Sequence, residues 1–283
     1  MKIRVLHLFA VTFAILLAAC TARERHGVRL SDRESIPEDT EAEVLGSGST
    51  LRTDSIQVAE MGEQGSCELY MDWPVDGPKA LIASLREWIG TVLFADSASS
   101  APSEPRALAE RYCQKQLDAM HLSLEQMSIG EYSTDEAPEK GTEIRLVYET
   151  PQLVTYEVTG FQYFTGGGHG SFGTRGATFR KSDGKRFGHD IITRKDDTLR
   201  KLLKDGLKTY FKTEDDSALQ LIVQVPLDVL PLPDLPPYLL KDGLHFQYGV
   251  YDICPFDYGD PGFTLPIEQL RPYLSDELLR EME

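Results

Sequence analysis

The apolar positions of the chain begin as a block and only later become periodic. Val5–Ala19 is an unbroken apolar run apart from His7 and Thr12, and it follows Lys2 and Arg4. Fifteen residues are few for a bilayer-spanning helix but match the apolar core of a secretory signal. Residues 21–50 lack Phe, Tyr and Trp, carry many charges and end in a Gly/Ser run. A stretch of that kind buries too little surface to offset its ordering entropy, and it reads as a tether.

Regular patterning starts near residue 54. SIQVAEM (55–61) and CELYMDW (67–73) predict two strands joined through Gly62–Gly65. Leu81, Ile82, Leu85, Trp88, Ile89, Val92 and Leu93 recur at helical spacing and predict a helix over Lys79–Phe94. A low-complexity loop (96–105) separates it from a second helix over roughly 105–122, marked by Leu108, Tyr112, Leu117 and Met120. Alternation then predicts strands at 143–150 and 153–164, with a bulge at Gly160, where the apolar parity changes from Val158 to Phe161 and Tyr163. A glycine cluster (165–170) leads into a strand at 174–180. Asp183-Gly184 signals a tight hairpin, with a return strand over 186–192.

Asp196 or Asp197 is placed to cap a third helix whose stripe is Leu199, Leu202, Leu203, Leu207, Tyr210 and Phe211. Residues 225–240 hold five prolines among Leu and Val and no basic anchor, which suits an extended packed connection better than a polyproline ligand. Leu244, Phe246, Tyr248 and Val250 alternate in a strand over 243–253, and Ser275 can cap a short C-terminal helix. Strands dominate the middle and helices flank them, so the expected class is α+β with an antiparallel sheet. The organisation read from these patterns is a leader at 1–19, a tether at 20–53, an N-terminal part at 54–140 and a C-terminal domain at 141–283.

Charge narrows the partners. The chain has 29 Lys+Arg and 45 Asp+Glu, and removing residues 1–19, with Lys2 and Arg4 and no acid, moves the net charge from −16 to −18. Nucleic acid is a poor fit, because phosphate recognition needs clustered cations. The leader closes on Leu17-Ala18-Ala19-Cys20, which reads as a bacterial lipobox. Cleavage before Cys20 and lipidation of its thiol would leave the protein anchored in the cell envelope. Thr21, not Asp, follows Cys20, so an inner-membrane retention signal of the familiar kind is not indicated. The expected place is the outer membrane, on its periplasmic or surface side. A thirty-residue coil would give the folded part a reach of about 30 Å. With Cys20 lipidated, Cys67, Cys113 and Cys254 remain. Three buried thiols, or one disulfide and one thiol, both satisfy that number.

Catalytic motifs are weak. Gly168–Gly173 satisfies G-x-G-x-x-G, but the residues after it read as strand and turn, where a dinucleotide site needs a helix. His169-Gly170-Ser171-Phe172-Gly173 approximates a nucleophile elbow without its first glycine. An envelope hydrolase built on His169 with Ser171 or a nearby acid, with Asp190, His189 or His245 recruited, is the enzymatic alternative. The histidines form neither H-x-x-x-H nor H-E-x-x-H, and the sequence calls for no metal and no cofactor. The prominent feature is Tyr163-Phe164-Thr165-Gly166-Gly167-Gly168-His169-Gly170, followed by Phe172. A strand end with aromatic anchors runs into a loop that lets a partner approach the backbone. The bland reading is a hairpin loop with demanding geometry.

YFTGGGHG, then SDGKRF, TLRKLLKDGLKTYF, KDGLHFQYGVYDICPFDYG and TLPIEQLRPYL occur in that order over roughly 143–274. Together they resemble the extracytoplasmic module of RsiV-type anti-sigma factors, a module that also precedes the catalytic domain of PdaC-type peptidoglycan deacetylases. Cys254-Pro255-Phe256-Asp257-Tyr258-Gly259 is a variant of the family's Pro-Tyr-x-x-Gly closing segment. The resemblance implies a non-catalytic binding module for a lysozyme-like protein or cell-wall glycan, with Tyr163, Phe164, Gly166, Gly167, Gly168, His169, Gly170 and Phe172 as binding residues. The sigma-binding segment of the one group and the deacetylase domain of the other are missing from this sequence. A purely structural or assembly lipoprotein is the remaining alternative.

Overall fold

The computed structural model describes residues 50–63, 65–94, 104–126, 137–164 and 170–283. The leader, Cys20 and residues 21–49 lie outside the described residues, as do Gly166, Gly167, Gly168 and His169. Five strands, β1 (Arg52–Gly62), β2 (Gly65–Asp76), β3 (Glu139–Glu149), β4 (Leu153–Tyr163) and β5 (Ser171–Arg180), make one sheet in sequence order. Neighbours are antiparallel except β2 and β3, which run parallel because α1 (Lys79–Phe94) and α2 (Pro105–Gln126) intervene. A second, antiparallel sheet holds β6 (Tyr238–Leu240), β7 (Gly243–Gln247) and β8 (Gly262–Leu265). Helices α3 (Asp197–Phe211), α4 (Asp216–Ile222), α5 (Ile267–Leu270) and α6 (Asp276–Glu281) complete the α+β fold.

The large sheet is buried on both faces along part of its width. On one face, Val154, Tyr156 and Val158 of β4 meet Leu85, Trp88 and Ile89 of α1. Trp88 sets its ring edge-on to Tyr156 and Phe179, at 6.4 and 6.1 Å. The opposite face of β4 and β5 receives the small sheet. Thr155 and Thr178, both buried, pair hydroxyls at 2.9 Å, and Thr178 Oγ1 also accepts the Leu239 N–H at 2.8 Å. The polar pair therefore stitches the two sheets together without leaving an orphaned group. Tyr238 lies flat on Gly176, and its hydroxyl donates to Glu157 Oε2 at 2.8 Å. Behind the small sheet, Leu199, Leu203 and Leu207 of α3 close a second core with Leu244, Phe246 and Phe263.

Local chemistry sets the helix ends. Asp196 caps α3 through Leu199 N (3.0 Å), Asp215 caps α4 through Ala218 N (2.8 Å), and Ser275 caps α6 through Leu278 N (3.3 Å). Three expectations are corrected. Register runs through Gly160 without interruption, and the irregularity falls on β3 between Leu146 and Tyr148. Beyond Val158 the core ends and both faces of β4 become half-exposed, so the change of parity needs no extra residue. The Asp183-Gly184 turn forms, with Gly184 at φ +74°, but the return strand is a single bridge from Arg186 to Phe179. The Asp190 carboxylate accepts the Gly188 N–H (3.0 Å) and turns 189–191 into a 3-10 turn. The strand expected over 243–253 stops at Gln247, because Asp252 accepts the Gly249 N–H (2.6 Å) and folds the chain back. The proline-rich connection contributes β6 at its end.

The contact between Tyr238 and Gly176 makes a stability prediction. A Cβ on Gly176 would lie within 2.6 Å of three carbons of the buried Tyr238 ring, whereas one on Gly173 would meet nothing within 4 Å. In urea unfolding, Gly176→Ala is expected to lower stability by about 1–3 kcal/mol through overpacking. Gly173→Ala is expected to change it by less than about 0.5 kcal/mol. Equal effects would show that the ring gives way freely.

Candidate functional site

Of the expected binding residues, the described ones sit on the two strands leading into and out of the glycine segment. Tyr163 ends β4 opposite Glu139, and Phe164 follows it, half-buried. Gly170 is tightly placed: a Cβ there would be 2.9 Å from the Phe161 ring. Phe161 and Phe172 are cross-strand partners on the face that receives the small sheet.

Phe172 does not stand alone. Its ring is 5.4 Å from that of Phe256, which is 5.9 Å from Tyr251. Phe211 meets Tyr210 at 4.9 Å and Tyr258 at 6.0 Å, both edge-on. Four of these rings remain exposed: Phe172 37 %, Tyr210 37 %, Tyr258 43 % and Tyr251 59 %. Two trios of rings, drawn from three separate segments and meeting around Gly259, are an apolar surface of the kind used for partner binding. Tyr210, Phe211, Tyr251, Phe256 and Tyr258 were not among the residues expected from sequence. The signal for three of them was the YDICPFDYG segment, read as a family mark and not as a surface.

The patch is held from behind. Tyr251 is a bulky residue at φ 69°, in the left-handed region that such side chains rarely adopt. The turn that keeps it there is closed by Gly249 N–H to Asp252 Oδ2 and by Asp252 N–H to Gly249 O (3.1 Å). Gln224 N–H donates to Ile253 O at 2.7 Å, and Tyr210 Oη donates to Tyr258 O at 3.3 Å. Gly259, at φ +84°, passes under Tyr210, where a Cβ would be 2.8 Å from the phenol oxygen. The Asp260 carboxylate accepts hydrogen bonds from the hydroxyl and the N–H of Thr174, which fastens the loop to β5. Asp252 and Asp257 are exposed in the same loop and give the aromatic patch an acidic border.

Behind the loop lies a half-buried polar network. His245 Nδ1 contacts Thr264 Oγ1 (3.0 Å), and Nε2 contacts Gln247 Oε1 (3.2 Å). The Gln247 amide nitrogen donates to Tyr248 O and Asp260 O, so its oxygen is the acceptor and His245 carries its proton on Nε2. Burial pushes the His245 pKa below the usual imidazole range, and burial pushes that of Asp260 above the usual carboxylate range. Two shallow surface clefts, one by Pro151, Lys181 and Ser182 and one by Asp216, Gln220 and Leu221, contain none of these groups. Ser171 opens β5 opposite Gln162, where a nucleophile elbow would open a helix. His189 Nε2 contacts Asp234 O (3.0 Å), 45 residues away. Among the described residues no three His, Cys, Asp or Glu side chains gather as a metal site requires. No described helix is long and apolar enough to cross a membrane.

This architecture is similar to that of two solved DUF3298-family proteins. One, from Bacteroides fragilis, is 25% identical over 83% of this chain and 98% of its own, with a TM-score of 0.66. The other, from Pseudomonas aeruginosa, is 16% identical over 81% and 96%, with a TM-score of 0.55, and shares the fold. No family model and no curated protein matches the sequence.

The buried imidazole gives the fold a pH dependence. An unfolded His245 takes up a proton near pH 6.5, while the folded one resists until lower pH. Stability is therefore fully present above about pH 6.5 and falls as pH drops toward the folded pKa. Asp260 acts in the opposite sense and lower, since its penalty grows as pH rises through and above the ordinary carboxylate value of 3.8. Urea midpoints at pH 7.5 and 5.5 should fall for the native chain, and His245→Gln should flatten that difference. An unchanged slope in His245→Gln would assign the dependence to other groups.

Proposed function

We propose that the chain is a lipid-anchored extracytoplasmic protein whose folded part is a non-catalytic binding module, and that its partner is a basic, lysozyme-like protein. The observation that carries the reading is the exposed aromatic patch around Phe172, Phe256 and Tyr251. Its rings are set by backbone hydrogen bonds, so little conformational freedom is lost when a partner covers them. Exposed aromatic anchors supply most of the affinity in interfaces of this kind. The acidic border and the chain's net charge of −16 favour encounter with a cationic surface. The lipobox at Cys20 and the RsiV-like order of motifs support the place and the partner class. The DUF3298-like architecture is compatible with the module.

Isothermal calorimetry with lysozyme and with soluble peptidoglycan fragments tests the partner. Binding to lysozyme is expected, weakening as salt is raised. Phe172→Ala or Tyr251→Ala should weaken it by about tenfold or more, as for a hot spot worth over about 1.4 kcal/mol. Binding to the glycan alone, or lysozyme binding indifferent to both substitutions, would contradict the reading. Intact mass of the envelope-extracted protein should show cleavage before Cys20 and added acyl chains. An unprocessed soluble chain would remove the anchor.

A further inference from the structure

Two thiols meet inside the core between the helices and the large sheet. Cys67 lies in β2, between Glu60 of β1 and Lys140 of β3. Cys113 comes from α2, 46 residues later. Both are fully buried. The Cys113 thiol donates to the Cys67 carbonyl at 3.5 Å, which brings the two cysteines together within one core. The third cysteine, Cys254, belongs to the other core, where its thiol faces Gly259 O. A single buried cysteine is an ordinary small apolar residue. Two that meet from elements distant in sequence are candidates for a disulfide.

The helix that carries Cys113 is held on the sheet mainly by apolar packing. The buried seam of α2 is Leu108, Ala109, Tyr112, Cys113, Met120 and Leu124. Several of its polar side chains pair along the helix itself, as Arg106 with Glu110, Gln114 with Asp118 and His121 with Glu125. Tyr112 Oη to Thr142 Oγ1, at 2.8 Å, is a polar link to the sheet. A covalent tie at Cys113 would fix the middle of the helix to β2, next to that hydrogen bond.

We propose that Cys67 and Cys113 are a disulfide pair, closed in an oxidising compartment and clamping α2 to the sheet. The occurrence of the bond in the cell rests on the extracytoplasmic reading above, whereas the pairing rests on geometry alone. Closure removes two protons and two electrons from the two thiols as the S–S bond forms. The electrons pass by thiol–disulfide exchange to an oxidised dithiol protein, whose own S–S bond breaks to two thiols. A mixed disulfide forms first with one cysteine, and the second thiolate then displaces the carrier. The folded dithiol resists this exchange. Both sulfurs are out of solvent, where a carrier protein cannot reach them, and the hydrogen bond with Cys113 together with burial drives the Cys67 pKa far above the usual thiol range, so Cys67 supplies little thiolate. The bond therefore closes before α2 docks, and once the chain has folded reduced, the thiols stay reduced.

Full-length protein carrying its own leader, extracted from envelopes in detergent and alkylated after denaturation without reductant, shows the cellular state. Peptide mass should give a Cys67–Cys113 crosslink and an alkylated Cys254. A bridge involving Cys254 would overturn the proposal, as would three alkylated thiols in an exported chain. The same full-length chain refolded in oxidised and reduced glutathione tests the pairing wherever the cell places the protein. The same crosslink should appear in native and Cys254→Ser chains, and the chain refolded with the bond should melt about 5–10 °C above the chain refolded with reductant throughout. Failure to form the crosslink on refolding, or equal Tm for the oxidised and reduced refolded chains, would overturn the pairing. A crosslink in the refolded chain, with an unprocessed and reduced chain in the cell, would support the pairing and count against the export reading alone.

Discussion

The seating of the Tyr238 ring on Gly176 fixes the relation between the two sheets, and with it the candidate site. Tyr238 is almost fully buried, and its hydroxyl is engaged by Glu157 on the strand next to the glycine. Only a residue without a Cβ leaves room for the ring at that height above β5. From this contact the small sheet runs back through β7 to the loop after Gln247, and that loop brings Phe256 against Phe172. The loop is also tied to β5 through Asp260 and Thr174, so displacing the ring would strain that tie and the contact of Phe256 with Phe172. The aromatic surface assembled from β5, α3 and the 248–260 loop is in this sense a consequence of how the sheets are stacked.

Much of the fold was legible in the periodicity. Both long central strands, the first three helices and the caps at Asp196 and Ser275 follow from spacing and local hydrogen bonding, which tertiary structure did not override. What was not legible depends on contacts distant in sequence. Thr155 and Thr178 read as polar strand residues, yet they are buried because each hydroxyl finds the other and a backbone donor from β6 completes the set. The parallel pairing of β2 with β3 has no local signature, since it is made by the crossover of two helices. The return strand after Gly184 failed because a single aspartate, Asp190, offered the backbone a better local partner than the sheet edge.

The site was half legible. Phe172 and Gly170 stood out because aromatic and glycine residues were crowded into one short segment. The rings that surround Phe172 come from α3 and from the 248–260 loop, and in the sequence Tyr210 and Phe211 are simply the end of a helical stripe. The left-handed Tyr251 could not be read from sequence either, since a tyrosine at positive φ is kept there by the turn at Gly249 and Asp252. The acids that border the patch were visible as net charge but not as a place. The resemblance assigned binding residues to the 163–172 segment, whereas the rings next to Phe172 belong to the 248–260 loop.

The central claim, that the rings around Phe172 and the 248–260 loop are the surface that partners cover, is tested most directly by residue-level mapping in solution. Aromatic and amide NMR signals of the folded protein can be followed while lysozyme is added at low salt. Shifts or broadening concentrated on Phe172, Tyr251, Phe256 and Tyr258, with α1 and α2 unaffected, are the expected result. Changes confined to the helical face, or to the free edge of β1, would contradict the account.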